Sequence, residues 1–192
     1  MAKYILASAS PRRKQLLEWA EIDFEVIVAH SDESFPPHLS AEEVAIHIAQ
    51  NKARAVRDKI GNARLIIAAD TIVVLENEII GKPLDRRNAI DILSKLSGKT
   101  HKVITGVAIM GAEEKYFADV TEVEFNQLSQ KEIEFYIDKY QPYDKAGAYA
   151  IQEWIGVIGI KRINGDFYNV MGLPVSKVVQ ALKKMESEHL KF

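Results

Sequence analysis

The chain has 192 residues, a formal net charge of −2 and no cysteine. This length fits one medium domain or two small lobes and suffices to bury a hydrophobic core. The charge balance shows no electrostatic footprint for DNA or RNA, and the lack of cysteine excludes disulfides and thiolate chemistry. The sequence shows no signal-peptide pattern and no apolar run of about 20 residues. We therefore expect a cytoplasmic protein that binds neither nucleic acid nor membranes.

Helices and strands alternate along the chain, which predicts a mixed α/β fold with a central sheet flanked by helices. The apolar patterns predict strands at residues 4–7, 24–28, 65–75, 79–80, 100–110, 115–125 and 157–163. The helical patterns and their capping signals predict helices at residues 11–20, 41–60, 86–96, 130–140 and 175–187. Residues 29–39 form an acidic, proline-bearing loop, and residues 141–152 are also loop-like.

The turn after the first strand has the sequence Ser8-Ala9-Ser10-Pro11-Arg12-Arg13. Ser10 is a good N-cap and Pro11 suits the first helical position, so part of the motif is explained by helix initiation alone. Helix initiation does not explain the two arginines, because a helix N-terminus already carries partial positive charge and disfavours nearby cations. Two guanidinium groups beside free N–H donors favour an anion site that would suit a polyphosphate. A solvated helix start is the alternative.

Asp70 interrupts the apolar strand at residues 65–75. An unpaired buried carboxylate is costly, so Asp70 needs a partner, a metal or exposure to a cleft. The favoured interpretation is a carboxylate at the rim of the sheet that acts as a general base or metal ligand. The alternative is a strand end or bulge that faces water.

Lysines and one glutamate are candidates to complete a charged site. Lys52 lies on the predicted long helix, Lys82 lies in Gly81-Lys82-Pro83, and Lys145 lies in the loop 141–152. Each lysine taken singly is more typical of a surface charge than of a ligand. Glu33 lies in the acidic loop, where structural and functional interpretations are balanced.

Six segments together resemble the successive motifs of the Maf family, in the order of the family and over residues 4 to about 183. The segments are Ser8-Ala9-Ser10-Pro11-Arg12-Arg13, Ala69-Asp70-Thr71, Gly81-Lys82-Pro83, and residues 96–101, 144–152 and 169–174. This resemblance implies a single domain over residues 1–192, with an elongated mixed sheet, two lobes and a cleft, similar to inosine-triphosphate pyrophosphatases. It also implies hydrolysis of nucleoside triphosphates to the monophosphate and pyrophosphate.

The resemblance also assigns roles to residues. It makes Asp70 the proton acceptor and places Ser8, Arg13, Glu33, Lys52 and Lys82 around the substrate. It makes Arg12, Thr71 and Gln152 the substrate-selecting positions, typical of the branch that prefers dTTP and UTP. A homodimer, a part in nucleotide-pool sanitation and a part in cell-division arrest are implied in the same way.

The chemistry of the residues agrees with these roles. Arg13, Lys52 and Lys82 supply cations for a polyanion, and Glu33 and Asp70 are hard oxygen ligands that suit Mg²⁺ or Mn²⁺. Two other functional classes are alternatives. One is a nucleotide-binding regulator without turnover. The other is an aspartyl-phosphate phosphatase, which usually has a second Asp two residues after the nucleophile. Ile72 stands at that position after Asp70, which disfavours the phosphatase.

Overall fold

A computed structural model of the protein describes residues 4–61 and 64–189, with side chains as far as residue 186. The strands it contains are β1 (Tyr4–Leu6), β2 (Phe24–Val26), β3 (Leu65–Leu75), β4 (Glu78–Ile80), β5 (Thr100–Met110), β6 (Glu114–Phe125) and β7 (Ile160–Asn164). The helices are α1 (Pro11–Trp19), α2 (Ala41–Ile60), α3 (Arg86–Leu96), α4 (Gln130–Tyr140), α5 (Trp154–Gly159), α6 (Phe167–Met171) and α7 (Val175–His189). The predicted mixed α/β class, a sheet with helices, is confirmed.

The starts of the helices follow from their capping residues. Ser40 caps α2 and Ser129 caps α4, each in a reciprocal capping box with the glutamate three residues later. The Asp85 side chain accepts a hydrogen bond from the backbone N–H of Asn88 and begins α3. Each cap satisfies N–H groups that have no partner within the helix. These local devices explain why the predicted helix starts agree with the structure.

Within the described residues, seven strands form one sheet. Six of them follow the order β2-β1-β3-β5-β6-β7, and the seventh, β4, pairs with β3 outside this order. Strand β1 runs parallel to both β2 and β3, whereas β4 is antiparallel to β3. The turn into β4 contains Glu76 and Asn77, both with positive φ, as a tight hairpin turn requires. The letters Glu76-Asn77-Glu78 between two apolar runs also predict a hairpin turn into residues 79–80, and the antiparallel pairing of β3 and β4 confirms it.

Asp70 lies inside a continuous strand rather than at a strand end. The β1 partners of β3 extend to Ile67, and its β4 partners begin at Val73. Asp70 falls in the interval between these two ladders, in a strand whose neighbours on both sides are mostly buried. The strand-end alternative is therefore wrong, because β3 passes through this position without interruption.

The described residues fall into two compact units. The first contains the residues up to Asp70, Thr105–Asp119 and the residues from Gly172 onward, and the second contains Thr71–Ile104 and Val120–Met171. In the first unit, β1, β3 and β5 pack against α2 through small and branched apolar side chains. Gly106 permits this contact, because a Cβ there would lie 2.2 Å from the backbone of Ala45. The helix that carries Lys52 is thereby held directly on the sheet.

The strand predicted at residues 157–163 is wrong over its first half. The chain there forms the short helix α5, and the strand β7 begins only at Ile160. Gly156 explains the difference, since a Cβ at this position would lie 1.8 Å from the carbonyl oxygen of Ile151. This close contact, which glycine permits, overrides the β propensity of the branched neighbours of Gly156. The helix α6 was not predicted.

None of the helices in residues 4–61 and 64–189 combines the length and the apolar character that a membrane span needs.

Candidate active site

The turn between β1 and α1 forms the first part of the site, within the first unit. The Ser10 side chain accepts a hydrogen bond from the Arg13 backbone N–H and caps α1, as the sequence predicted. The Ser8 hydroxyl oxygen lies 3.2 Å from the Ser10 backbone nitrogen and 3.1 Å from Nη1 of Arg13, and it accepts from both. Ser8 therefore fixes the turn and the guanidinium at the same time.

Arg13 is a buried cation, with only 9% of its surface exposed. Its Nε donates to the carbonyl oxygen of Gly172 at 2.7 Å. Gly172 has φ +121°, a conformation that is strained for residues with a Cβ, so this carbonyl is supplied by a backbone position that favours glycine. The motif at residues 169–174 was recognised in the sequence, but this function of Gly172 was not. The sequence feature that could have indicated this function is a glycine directly after an apolar segment.

The charges around Arg13 act on its pKa in opposite directions. Burial is the largest effect and lowers the pKa, and the neighbouring Arg12 lowers it further. The carboxylates of Asp70 and Glu33 raise the pKa. The guanidinium stays protonated, since arginine keeps its proton in proteins at neutral pH. Asp70, Glu33 and Arg12 are therefore all close enough to Arg13 to share its electrostatic environment.

Lys52 joins the two predicted carboxylates. Its Nζ lies 2.6 Å from Oδ1 of Asp70 and 2.9 Å from Oε1 of Glu33. The side chains of Lys52 and Asp70 are 19% and 16% exposed, whereas that of Glu33 is 56% exposed. The long helix α2, the strand β3 and the acidic loop thus each contribute one charged group to a cluster that is open to solvent on the Glu33 side.

The donor set at this cluster fits a divalent cation. Mg²⁺ is commonly bound through one or two carboxylates together with substrate phosphates and water. Asp70 and Glu33 supply two such carboxylates, and the Lys52 ammonium group shows that a cation is accommodated by both at once. Residues 4–61 and 64–189 contain no group of three or more His, Asp or Glu side chains suited to hold a metal by themselves.

The remaining predicted residues belong to the second unit. Lys82 and Gln152 are exposed, and Thr71 is half-buried on β3. The segment of Lys82 and the loop of Gln152 touch through their backbones, because the Gly147 N–H donates to the carbonyl oxygen of Gly81 at 3.1 Å. Arg12, in the first unit, is half-buried in the first turn of α1.

Comparison with known proteins identifies relatives over nearly the whole chain. Residues 3–185 match the family described as Maf-like protein. A protein of Cytophaga hutchinsonii named dTTP/UTP pyrophosphatase is 50% identical over 98% of this chain and 86% of its own length. A protein of the same name from Bacteroides thetaiotaomicron is 49% identical over 94% of this chain and 95% of its own.

A solved structure shares the fold at much lower sequence identity. The Ham1 protein of Staphylococcus aureus aligns with a TM-score of 0.53 and 18% identity, over 95% of this chain and 98% of its own. The predicted fold resemblance is confirmed at this level. With the family match over residues 3–185, these comparisons show that the chain belongs to the Maf-like protein family.

Proposed function

We propose that this protein hydrolyses nucleoside triphosphates, with dTTP and UTP preferred, to the nucleoside monophosphate and pyrophosphate. The observation that carries the proposal is the charged cluster of the first unit. There, Lys52 bridges Asp70 and Glu33, and the buried Arg13 lies within their electrostatic reach. The names of the relatives that are about 50% identical support the same reaction and the same substrates.

The cations of the cluster suit a polyphosphate. Hydrogen bonds to Ser8 and Gly172 fix the Arg13 guanidinium, so its N–H groups are held in a defined direction. A rigid guanidinium stabilises negative charge that develops on phosphate oxygens without first having to reorganise. Lys52 adds a second cation, and the family resemblance adds Lys82.

Asp70 is the group we assign as the base. In the proposed step, a water oxygen bonds to the α-phosphorus while its proton passes to an oxygen of Asp70. The bond from the α-phosphorus to the bridging oxygen breaks, and pyrophosphate leaves with that oxygen. No side chain becomes phosphorylated. Asp70 suits this role because β3 holds its backbone rigidly while 16% of its side chain remains exposed.

Asp70 and Glu33 would also hold Mg²⁺ or Mn²⁺ together with the phosphates. When bound, such an ion neutralises phosphate charge and polarises the phosphoryl oxygens. For the ion to approach both carboxylates, the Lys52 ammonium group has to move towards the phosphates. Its side chain has the flexibility to do so.

We assign the choice of base to Arg12, Thr71 and Gln152. Uracil and thymine share a ring edge of acceptor, donor and acceptor, and an amide such as that of Gln152 both donates and accepts. Arg12 and the Thr71 hydroxyl supply further donors. A site that leaves polar groups unpaired rejects a wrong base by up to about 10⁴-fold. We therefore expect dTTP and UTP to be hydrolysed far faster than ATP and GTP, with CTP slow.

The test is a panel of dTTP, UTP, CTP, ATP and GTP with Mn²⁺ or Mg²⁺, with all products separated and quantified. Carrying out the hydrolysis in ¹⁸O-labelled water adds the position of attack, since attack at the α-phosphorus places the label in the monophosphate. The D70N variant, prepared in the same way, serves as the background control. Release of diphosphate and orthophosphate would contradict the proposal. Nucleotide binding without any release would favour the regulator class.

A part in nucleotide-pool sanitation stays a prediction from the family resemblance. Cell-division arrest, the homodimer, the cytoplasmic location and the single domain with a cleft stay predictions from the sequence.

A further inference from the structure

Tyr136 connects the two sides of the loop that carries Gln152, within the second unit. Its side chain, on α4, is fully buried. The hydroxyl accepts a hydrogen bond from the Ala150 backbone N–H at 3.1 Å and donates to the carboxylate of Glu153. The Tyr136 hydroxyl group therefore binds both Ala150 and Glu153, the residues that flank residues 151–152.

Glu153 is held on both of its carboxylate oxygens. Oε2 accepts from Tyr136, and Oε1 lies 3.6 Å from Nζ of Lys145, which is itself buried and also lies 2.7 Å from Oδ1 of Asp144. Glu153 is the N-cap residue of α5, yet its side chain makes no capping bond to that helix. The carboxylate is turned inward, where the charge of the buried lysine requires a partner.

The backbone that leads to Gln152 is constrained as well. Gly147 and Ala148 both have positive φ, +71° and +57°, which is unfavourable for an alanine and persists only where the surroundings impose it. A Cβ on Gly147 would lie 2.9 Å from Cγ2 of Val73, so the turn is pressed against β3. Next along the chain, the Tyr149 hydroxyl lies 2.7 Å from Nε2 of His101 in the interior.

Gln152 itself is exposed, and a free amide can rotate to exchange its donor and its acceptor. An exposed amide discriminates between bases only if its backbone is held in one position. We infer that Tyr136 and Glu153 are positioning residues that set the nucleobase selectivity through Gln152. This inference rests on the proposed function and names the part of the fold that makes its base selection accurate.

The first test is Y136F, which removes the hydroxyl and keeps the buried ring. The matched control is Y140F, the same change one turn later on α4, where the ring of Tyr140 stacks on that of Tyr136 at 5.1 Å. The readout is the ratio of kcat/KM for UTP to that for CTP, two substrates that differ only at the base edge. This ratio does not depend on how much of the enzyme is folded, because the enzyme concentration cancels.

We expect Y136F to lower the UTP-to-CTP ratio by about tenfold, mainly through a higher KM for UTP, and Y140F to leave the ratio within about twofold. E153Q keeps an acceptor for Tyr136 but removes the charge that faces Lys145. We therefore expect it to lower the ratio by about threefold. If Y136F does not fold, E153Q carries the test by itself.

An unchanged ratio in Y136F and E153Q, with only a lower Tm, would overturn the positioning role and leave the proposed function intact. Absence of pyrophosphate release from every nucleotide by the unmutated protein would overturn both.

Discussion

The ammonium nitrogen of Lys52 lies 2.6 Å from Oδ1 of Asp70, and the same nitrogen lies 2.9 Å from Oε1 of Glu33. Two carboxylates that would otherwise repel each other thus share one internal cation. Lys52 therefore lies where the proposed divalent ion would contact both carboxylates. This relationship leads to separate predictions for the carboxylate and for the lysine.

The D70N variant should lose at least about 10²-fold in turnover, because it keeps the shape of Asp70 and removes the proposed base. Its fold should survive, since Lys52 retains Glu33 as a partner at 2.9 Å. Steady-state pyrophosphate release and thermal unfolding measure the two effects separately. D138N is the matched control, because Asp138 also forms an ion pair, with the exposed Arg86. Near-normal turnover in D70N would make Glu33 the next candidate for the base.

The K52M variant should bind Mn²⁺ more tightly than the unmutated protein when no nucleotide is present. Removing the ammonium frees both carboxylates from a competing charge, and we expect affinity to rise by about fivefold or more. Titration of free Mn²⁺ by electron paramagnetic resonance measures this without any turnover.

Pyrophosphate release by K52M should nevertheless fall, because a cation for the polyphosphate is lost. K14M is the control, since Lys14 forms an exposed ion pair with Glu18. Equal Mn²⁺ affinity in K52M and K14M would show that Lys52 does not compete for the metal position.

The G172A variant should lose both stability and turnover. Alanine is strained at φ +121°, at a cost of about 1–3 kcal/mol, and relief of that strain would rotate the carbonyl that holds Arg13. Chemical denaturation and steady-state kinetics measure the two losses. G61A is a matched control, because Gly61 also has positive φ, +77°, and a Cβ there meets no atom within 4 Å. A loss of turnover no greater than that of G61A would argue against a role for Gly172 in positioning Arg13.

The Q152E variant should weaken the preference for dTTP and UTP more than it weakens binding of the triphosphate group. The carboxylate keeps the length of the side chain but loses its donor, so the acceptors of the uracil edge lose a partner. Competition by inorganic triphosphate measures phosphate binding, and the nucleotide panel measures selectivity. Equal hydrolysis of purines and pyrimidines by the unmutated protein would refute the assignment of base selection and leave the pyrophosphatase proposal standing.

The stability of the protein should fall between pH 6.5 and pH 4 because of His101. Burial lowers the pKa of this histidine to about 4, from an ordinary value of 6.5. In this range the unfolded chain binds the proton and the folded protein does not, so unfolding is favoured as the pH falls. The free energy of unfolding that is lost through His101 should reach about 3 kcal/mol near pH 4 and change little below that pH.

The measurement is denaturant unfolding at pH 7.0 and pH 4.5 for the unmutated protein and for H101Q. In the unmutated protein Nε2 of His101 lies 2.7 Å from the Tyr149 hydroxyl, and the glutamine amide keeps a polar partner for that hydroxyl. The variant should show the smaller difference between the two pH values. An equal difference in both proteins would assign the acid sensitivity to other groups.

Local signals explain which elements were predictable. The capping boxes at Ser40 and Ser129 and the positive-φ pair Glu76 and Asn77 act within four residues, so their effects can be derived from adjacent letters. The helix α5 was missed because its conformation depends on the contact of Gly156 with the Ile151 carbonyl. Its branched residues by themselves indicate a strand.

The sequence by itself determined which residues needed a chemical explanation. Arginines are unfavourable at the positive end of α1, and a carboxylate is unfavourable within an apolar strand. These two conflicts identified Arg13 and Asp70 as candidate site residues. Only the tertiary structure decided how these charges are balanced. The Arg13 bond to Gly172 spans 159 positions and that of Lys52 to Asp70 spans 18. Local patterns report only near neighbours, whereas packing of α2 on the sheet and the φ of Gly172 bring these partners together.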